Sequence, residues 1–138
     1  MQIESHLMYA HRKPKEGPEL VSMKLNNFAK RAVATHEAGH YLVGYLLNKK
    51  GLYHRKPAMV TIIGRYSYLG RVNFQSDEKY DPAISPLYNE RSGLVIALAG
   101  KAAEEVFFGE ENVHTGAFKD LKRARSIARS IGKALSQI

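Results

Sequence analysis

Ala32-Val33-Ala34-Thr35-His36-Glu37-Ala38-Gly39-His40-Tyr41-Leu42-Val43-Gly44-Tyr45-Leu46-Leu47 is an apolar run interrupted by two histidines and one glutamate. Its period is helical, with Val33, Tyr41, Val43, Leu46 and Leu47 expected to bury the helix in a core. Residues four apart share one helix face, one turn above the other. His36 and His40 could therefore grip one metal ion from the same side. Glu37 follows the first histidine and projects within reach of a metal-bound water. Zinc takes His nitrogen readily, and a catalytic zinc site keeps three protein ligands and one open position. The metal acidifies the water, and a nearby carboxylate can take its proton. The spacing points to zinc-peptidase chemistry with Glu37 as catalytic base. The bland alternative is a pair of surface histidines on an amphipathic helix, and the motif gains weight only from its helical, apolar context.

The chain has 138 residues, enough for one domain with a core. Apolar residues are 44% and charged residues 25%, as in an ordinary globular protein. No apolar run approaches the roughly 20 residues of a membrane span, and the N-terminus has no signal-peptide core. These features predict no transmembrane segment and a cytoplasmic location. There are 0 cysteines, so any metal must be held by His and carboxylate. The net charge of +8 suits acidic partners such as nucleic acid or anionic membrane surfaces. Arg12, Lys13 and Lys15 lie in a Pro-containing leader, and Lys119, Lys122, Arg123, Arg125, Arg129 and Lys133 crowd the last helix. Such runs often do no more than solvate a surface.

Residues 1–22 read as a basic, flexible N-terminal arm broken by Pro14, Gly17 and Pro18, and residues 23–138 as one domain. Leu25, Phe28 and Ala29 repeat at helical spacing; whether the chain turns between Ala29 and Val33 is open from sequence. Gly51 suits a helix C-terminus, and Lys49 and Lys50 suit the negative end of the helix dipole. Ala58 to Ile63 is β-branched and apolar, and Tyr68 to Gln75 alternates from Leu69 onward. With a turn at Gly64 to Ser67, they predict an antiparallel hairpin. A long helix is expected from Leu87 to Phe108, ended by Gly109. Its small residues, Ala97 to Ala103, would let it approach the motif helix. Thr115 is the expected N-cap of a final helix, Gly116 to Leu135. Its apolar stripe is Phe118, Leu121, Ala124, Ile127, Ala128, Ile131 and Leu135.

Two histidines do not complete a zinc site. Glu104, Glu105, His114 and Asp120 are the downstream candidates. Asp120 lies at the edge of the last helix's apolar stripe, where an acid needs a partner, although a first-turn acid also suits the helix dipole. From chemistry alone Asp120 and Glu105 are equal, since either carboxylate completes a His₂-carboxylate site.

The stretch Val33 to His40 resembles the zinc-peptidase domain of the FtsH family (M41-type), the membrane-bound AAA+ proteases. Val60-Thr61-Ile62-Ile63 is similar to the family's strand after the active-site helix, and Leu69-Gly70 to the start of its next strand. Leu98 to Glu105 resembles its small-residue helix with paired acids. Thr115-Gly116-Ala117-Phe118-Lys119-Asp120-Leu121 resembles its Thr-Gly-Ala-x-x-Asp segment. Five motifs in order, over about residues 31–130, are far more specific than His-Glu-x-x-His alone. The resemblance implies His36, His40 and Asp120 as metal ligands, Glu37 as general base, and Glu104 or Glu105 orienting a histidine from behind. There are departures. The residues contain no Walker motif and stop at Ile138, whereas the family's peptidase domain continues into further helices. Tyr41 is larger than the Ala often found there, and Gly64-Arg65-Tyr66-Ser67 replaces a Pro-Arg-Gly-like turn.

The expected fold is therefore α+β and mostly helical: a zincin-like active-site helix, a small antiparallel β-sheet and two further long helices. The expected function is Zn²⁺-dependent hydrolysis of peptide bonds in unfolded or extended polypeptides. Substrate would add to the hairpin edge at Leu69, Gly70, Val72 and Phe74. A separate ATPase or unfoldase is a compatible partner, and an oligomer is compatible too. The rival reading is a catalytically silent adaptor or nucleic-acid-binding module with a structural zinc. It is disfavoured because aromatics do not interleave with the basic run on the last helix.

Overall fold

A computed structural model describes residues 25–65 and 68–138. The expected basic arm, residues 1–22, lies outside the described residues. Three long helices and a two-stranded antiparallel sheet follow in the order α1 (Asn27–Lys49), β1 (Arg55–Thr61), β2 (Arg71–Ser76), α2 (Leu87–Phe108) and α3 (Phe118–Ser136). The architecture is α+β and mostly helical. No helix among the described residues is long and apolar enough to cross a membrane.

α1 starts where Asn26 accepts a hydrogen bond from the Ala29 N–H on its Oδ1 at 2.8 Å, satisfying one of the helix's orphan donors. It then runs without a turn through Ala29 to Val33, which resolves what the sequence leaves open. At its other end Gly51 takes φ +71°, and the N–H groups of Gly51 and Leu52 donate to Asn48 O and Leu47 O. That paired closure needs a residue free to enter the left-handed region.

The buried face of α1 differs from the expected one. Ala32, Val33, His36, Glu37, His40 and Gly44 face inward. Leu46, expected in the core, is 45% exposed, and Tyr41, Val43 and Leu47 are half-buried. The helix thus buries its three chemistry-bearing residues and leaves Leu42 and Leu46 outside. Polar groups are buried only where partners await them, so the inward face marks the site.

α2 has the expected bounds and packs antiparallel against α1. The rings of Phe28 and Phe108 meet at one end (centroids 6.2 Å apart). At mid-helix Gly39 lies so close that an added Cβ would stand 2.5 Å from Ala99 O and 2.7 Å from Ala103 Cβ. The small residues of α2 permit this approach. α2 ends at Gly109, at φ +85°.

The hairpin sits earlier in β1 and later in β2 than the residue pattern predicts. β1 begins at Arg55 and ends at Thr61, so Ile62 and Ile63 lie beyond it; β2 begins at Arg71, so Leu69 and Gly70 form a bend before it. A register shift between Pro57 and Met59 interrupts the pairing. Pro57 has no N–H to donate, and opposite it the Arg55 guanidinium donates to the Phe74 carbonyl at 3.2 Å. The Phe74 ring packs on Gly44 and edge-on to Tyr53, seating the sheet on α1.

The start of α3 also differs. Thr115 is not its N-cap: Thr115–Ala117 winds as a 3-10 turn, and α3 begins at Phe118 with Ala117 ahead of it and no side-chain cap. The tighter turn satisfies backbone groups that a cap would otherwise serve. Of the expected stripe only Ala124 is buried; Phe118 is 72% exposed. Phe118 lies some 120° round the helix from Ala124's face, at 100° per residue, among the basic residues.

Candidate active site

His36 and His40 lie one turn apart on α1, buried, with ring centroids 4.7 Å apart. Each ring is held from behind. His36 Nδ1–H donates to Glu104 Oε1 at 2.5 Å, and His40 Nδ1–H donates to the Ile96 carbonyl at 2.7 Å. Both partners only accept, a carboxylate and a carbonyl, so both rings carry hydrogen at Nδ1. In the neutral rings both Nε2 atoms then present lone pairs. They face each other at 3.0 Å.

Asp120, 84 residues after His36, completes the convergence. Its Oδ2 lies 2.7 Å from His36 Nε2 and 3.1 Å from His40 Nε2. Three electron-pair donors within 3.1 Å of one another repel unless a cation lies among them. The separations are shorter, by roughly 0.3–0.7 Å, than the roughly 3.4 Å edge of a tetrahedron with zinc-type bonds of about 2.1 Å, so a bound ion would part the three atoms slightly. The donor set therefore fits a small divalent metal, which His36, His40 and Asp120 could hold. The same pull acts on protons. Burial opposes charge on His36, yet its hydrogen bonds to Asp120 and Glu104 outweigh this and raise its pKa. Burial likewise pushes the Asp120 carboxyl up, but His36 and His40 hold it well below the usual carboxylate range.

Gly100 of α2 shapes the space at the donor atoms. A Cβ there would stand 2.5 Å from His40 Nε2 and 2.6 Å from His36 Nε2. In the sequence Gly100 stands out only as part of a run of small, helix-packing residues. The available signal was its cost: an interior helix glycine loses about 1 kcal/mol against alanine and so calls for a reason.

Glu37 is buried beside the two histidines. Burial raises its carboxyl pKa, against the opposing pull of His40 and His36. The bend at Leu69–Gly70 comes directly onto it: a Cβ on Gly70 would stand 2.7 Å from Glu37 Cγ and 3.0 Å from Glu37 Oε1. Of the other edge candidates, Val72 pairs with Val60, and Phe74 turns its ring into the contact with α1.

The paired acids separate cleanly. Glu104 is fully buried and reaches His36. Glu105, one residue and about 100° further round the helix, pairs instead with Lys101 at the surface, one turn away. His114 does not join the donor triangle. Its backbone N–H donates to Glu104 Oε2 at 2.9 Å, and its Nδ1 lies 3.0 Å from Glu104 Oε1. His36, Glu104 and His114 form a second cluster of donor atoms. There the 2.5 Å hydrogen bond between His36 and Glu104 leaves no gap for a cation.

The model of peptidase family M41 matches residues 23–135. Over 115 residues the chain is 42% identical to an ATP-dependent zinc metalloprotease FtsH of Haemophilus influenzae, covering 83% of this chain and 17% of the relative. An FtsH of the same description from Buchnera aphidicola is 37% identical over 134 residues, covering 91% of this chain and 20% of the relative. A chloroplastic ATP-dependent zinc metalloprotease of Arabidopsis thaliana is 36% identical over 116 residues, 83% of this chain and 16% of that protein. The chain thus spans a fifth or less of the length of these relatives.

Proposed function

The chain belongs to peptidase family M41, and from that premise we propose that it is a zinc-dependent endopeptidase acting on unfolded or extended polypeptides. One observation carries the reading: the Nε2 atoms of His36 and His40 and the Oδ2 of Asp120 converge within 3.1 Å. His36, His40 and Asp120 would hold zinc through these atoms. When bound, zinc supplies Lewis acidity, yielding a nucleophile from water near neutral pH and polarising the scissile carbonyl.

The chain's own groups do the rest. Glu104 and the Ile96 carbonyl hold the two imidazoles in the tautomer that aims Nε2 at the site. The Glu37 carboxylate takes a proton from the attacking water and delivers it to the leaving amine. The bend at Leu69–Gly70 limits where that carboxylate can stand. Among the described residues β2 pairs only with β1, so its outer edge offers backbone groups to an extended peptide beside Glu37. Peptide-bond chemistry belongs to this domain, and the ATP dependence named for the relatives to a separate unit.

The test is cleavage of an unfolded protein by zinc-loaded wild type and by Glu37→Gln, with zinc content measured on both. The reading expects Glu37→Gln to keep its zinc while cleavage falls by roughly 10²–10⁴-fold. Equal cleavage by the two proteins would sink the assignment of Glu37. A wild type that takes up no zinc would sink the function.

A further inference from the structure

Glu104 is a carboxylate with no solvent exposure. A buried charge is tolerated only with close polar partners. Its Oε1 accepts from His36 Nδ1, and its Oε2 accepts from the His114 backbone N–H. The His114 side chain converges on the same Oε1, with a buried Nδ1 at 3.0 Å that stands off the line of a full hydrogen bond. The two imidazoles flank that oxygen with their ring centroids 5.4 Å apart.

Room for the His114 ring comes from Gly116, where an added Cβ would stand 3.0 Å from the ring's Cε1 and Nε2. His114 also begins the turn that leads to Asp120. Its carbonyl accepts the Ala117 N–H at 3.3 Å, and α3 follows at once. One residue therefore touches the support of one donor and starts the segment that presents another.

We propose that His114 is a positioning residue for the metal site: its side chain confines the Glu104 carboxylate against His36, and its backbone ties that carboxylate to the turn delivering Asp120. The inference rests on the reading of His36, His40 and Asp120 as zinc ligands. His114 itself stays behind His36, on the side away from the donor triangle. It acts through the direction of His36 Nε2.

The experiment compares the 138-residue chain with its His114→Ala and His114→Asn variants. Three quantities are read: the zinc dissociation constant by competition with a chelating dye, the visible absorption of the Co²⁺-loaded protein, and melting of the metal-free protein. His114→Ala should bind zinc about tenfold more weakly, the lower end for groups that support a metal ligand, and should change the Co²⁺ bands. His114→Asn places a side-chain N–H near the Nδ1 position and should restore both. If His114→Ala does not fold, His114→Gln takes its place, filling the space without a donor at that position. Unchanged zinc affinity and unchanged Co²⁺ bands would overturn the proposal. So would equal loss in the Ala and Asn variants in step with lower metal-free melting, which is the mark of packing alone. Absence of a single zinc per wild-type chain, or retention of zinc by His40→Ala, would overturn the zinc reading itself.

Discussion

Gly100 gives His40 its room: the Cβ that glycine lacks would stand 2.5 Å from His40 Nε2. Both imidazoles are pinned from behind, His36 by Glu104 and His40 by the Ile96 carbonyl, so neither can swing away. Gly100→Ala would gain about 1 kcal/mol of helix propensity and lose about 1–3 kcal/mol to overpacking. The expected result is a destabilised protein whose zinc affinity falls by more than about tenfold. Titration with zinc and urea unfolding of the metal-free variant check the two parts. Undiminished zinc binding would show that the donor atoms do not meet against this stretch of α2.

Gly70 offers a cleaner separation of metal from base. A methyl group there meets Glu37 Cγ at 2.7 Å and Val33 Cγ1 at 2.7 Å, and its three nearest atoms include none from a histidine. Gly70→Ala should keep zinc at the wild-type level and lose cleavage by about 100-fold, the scale of a reacting group misplaced by about 1 Å. Zinc content and turnover on one preparation decide it. Loss of both together would mean that the bend supports the metal site as well as the base.

Neighbouring acids should behave as opposites. Glu104→Gln removes the charge that receives His36 Nδ1–H in a fully buried site and should weaken zinc by about 10–100-fold. Glu105→Gln removes half of a surface pair with Lys101 and should change stability by less than about 0.5 kcal/mol, with zinc unaffected. Isothermal titration with zinc and urea unfolding of both variants check the two parts. Equal effects would refute the division of labour between them.

Metal and proton should compete visibly. The raised pKa of His36 gives the metal-free protein stability that is fully present below the ordinary histidine value of 6.5 and is lost as pH rises through the raised value. The lowered pKa of Asp120 adds stability that is present above the ordinary 3.8 and is lost as pH falls through its depressed value. Metal-free protein should therefore be more stable at about pH 6 than at about pH 8. Zinc needs His36 Nε2 free of its proton, so zinc affinity should rise over the same interval. Urea midpoints with and without zinc test the opposing trends. A metal-free midpoint that climbs from pH 6 to pH 8 would contradict the assignment.

Much of this protein was decided locally, in short stretches whose physics needs no distant partner. Four-residue spacing alone puts His36 and His40 on one face of α1. Gly51 and Gly109 end helices because the left-handed backbone there suits glycine, and the bounds of α2 follow from its own run and its terminal glycine. Where local rules failed, packing had overruled them. β1 starts at Arg55 because the register with β2 around Pro57 sets the strand, not the apolar run that follows. Thr115 winds into a tight turn although it is a good cap by type.

What only the tertiary structure could decide is which of several equivalent groups arrive at the site. Asp120 and Glu105 were chemically equal as third donors. Asp120 reaches both Nε2 atoms, and Glu105 turns to Lys101, because a helix rotates its residues by about 100° each and the packing of three helices selects one direction for each side chain. The same selection leaves Leu46 outside and brings His36, Glu37 and His40 inside, against the expectation from hydrophobicity. Composition and period rank residues by their average preference for water. A buried hydrogen-bonded cluster is favoured only when all its partners are present at once, and Ile96, Gly100, Glu104 and Asp120 come from 56 to 84 residues away along the chain.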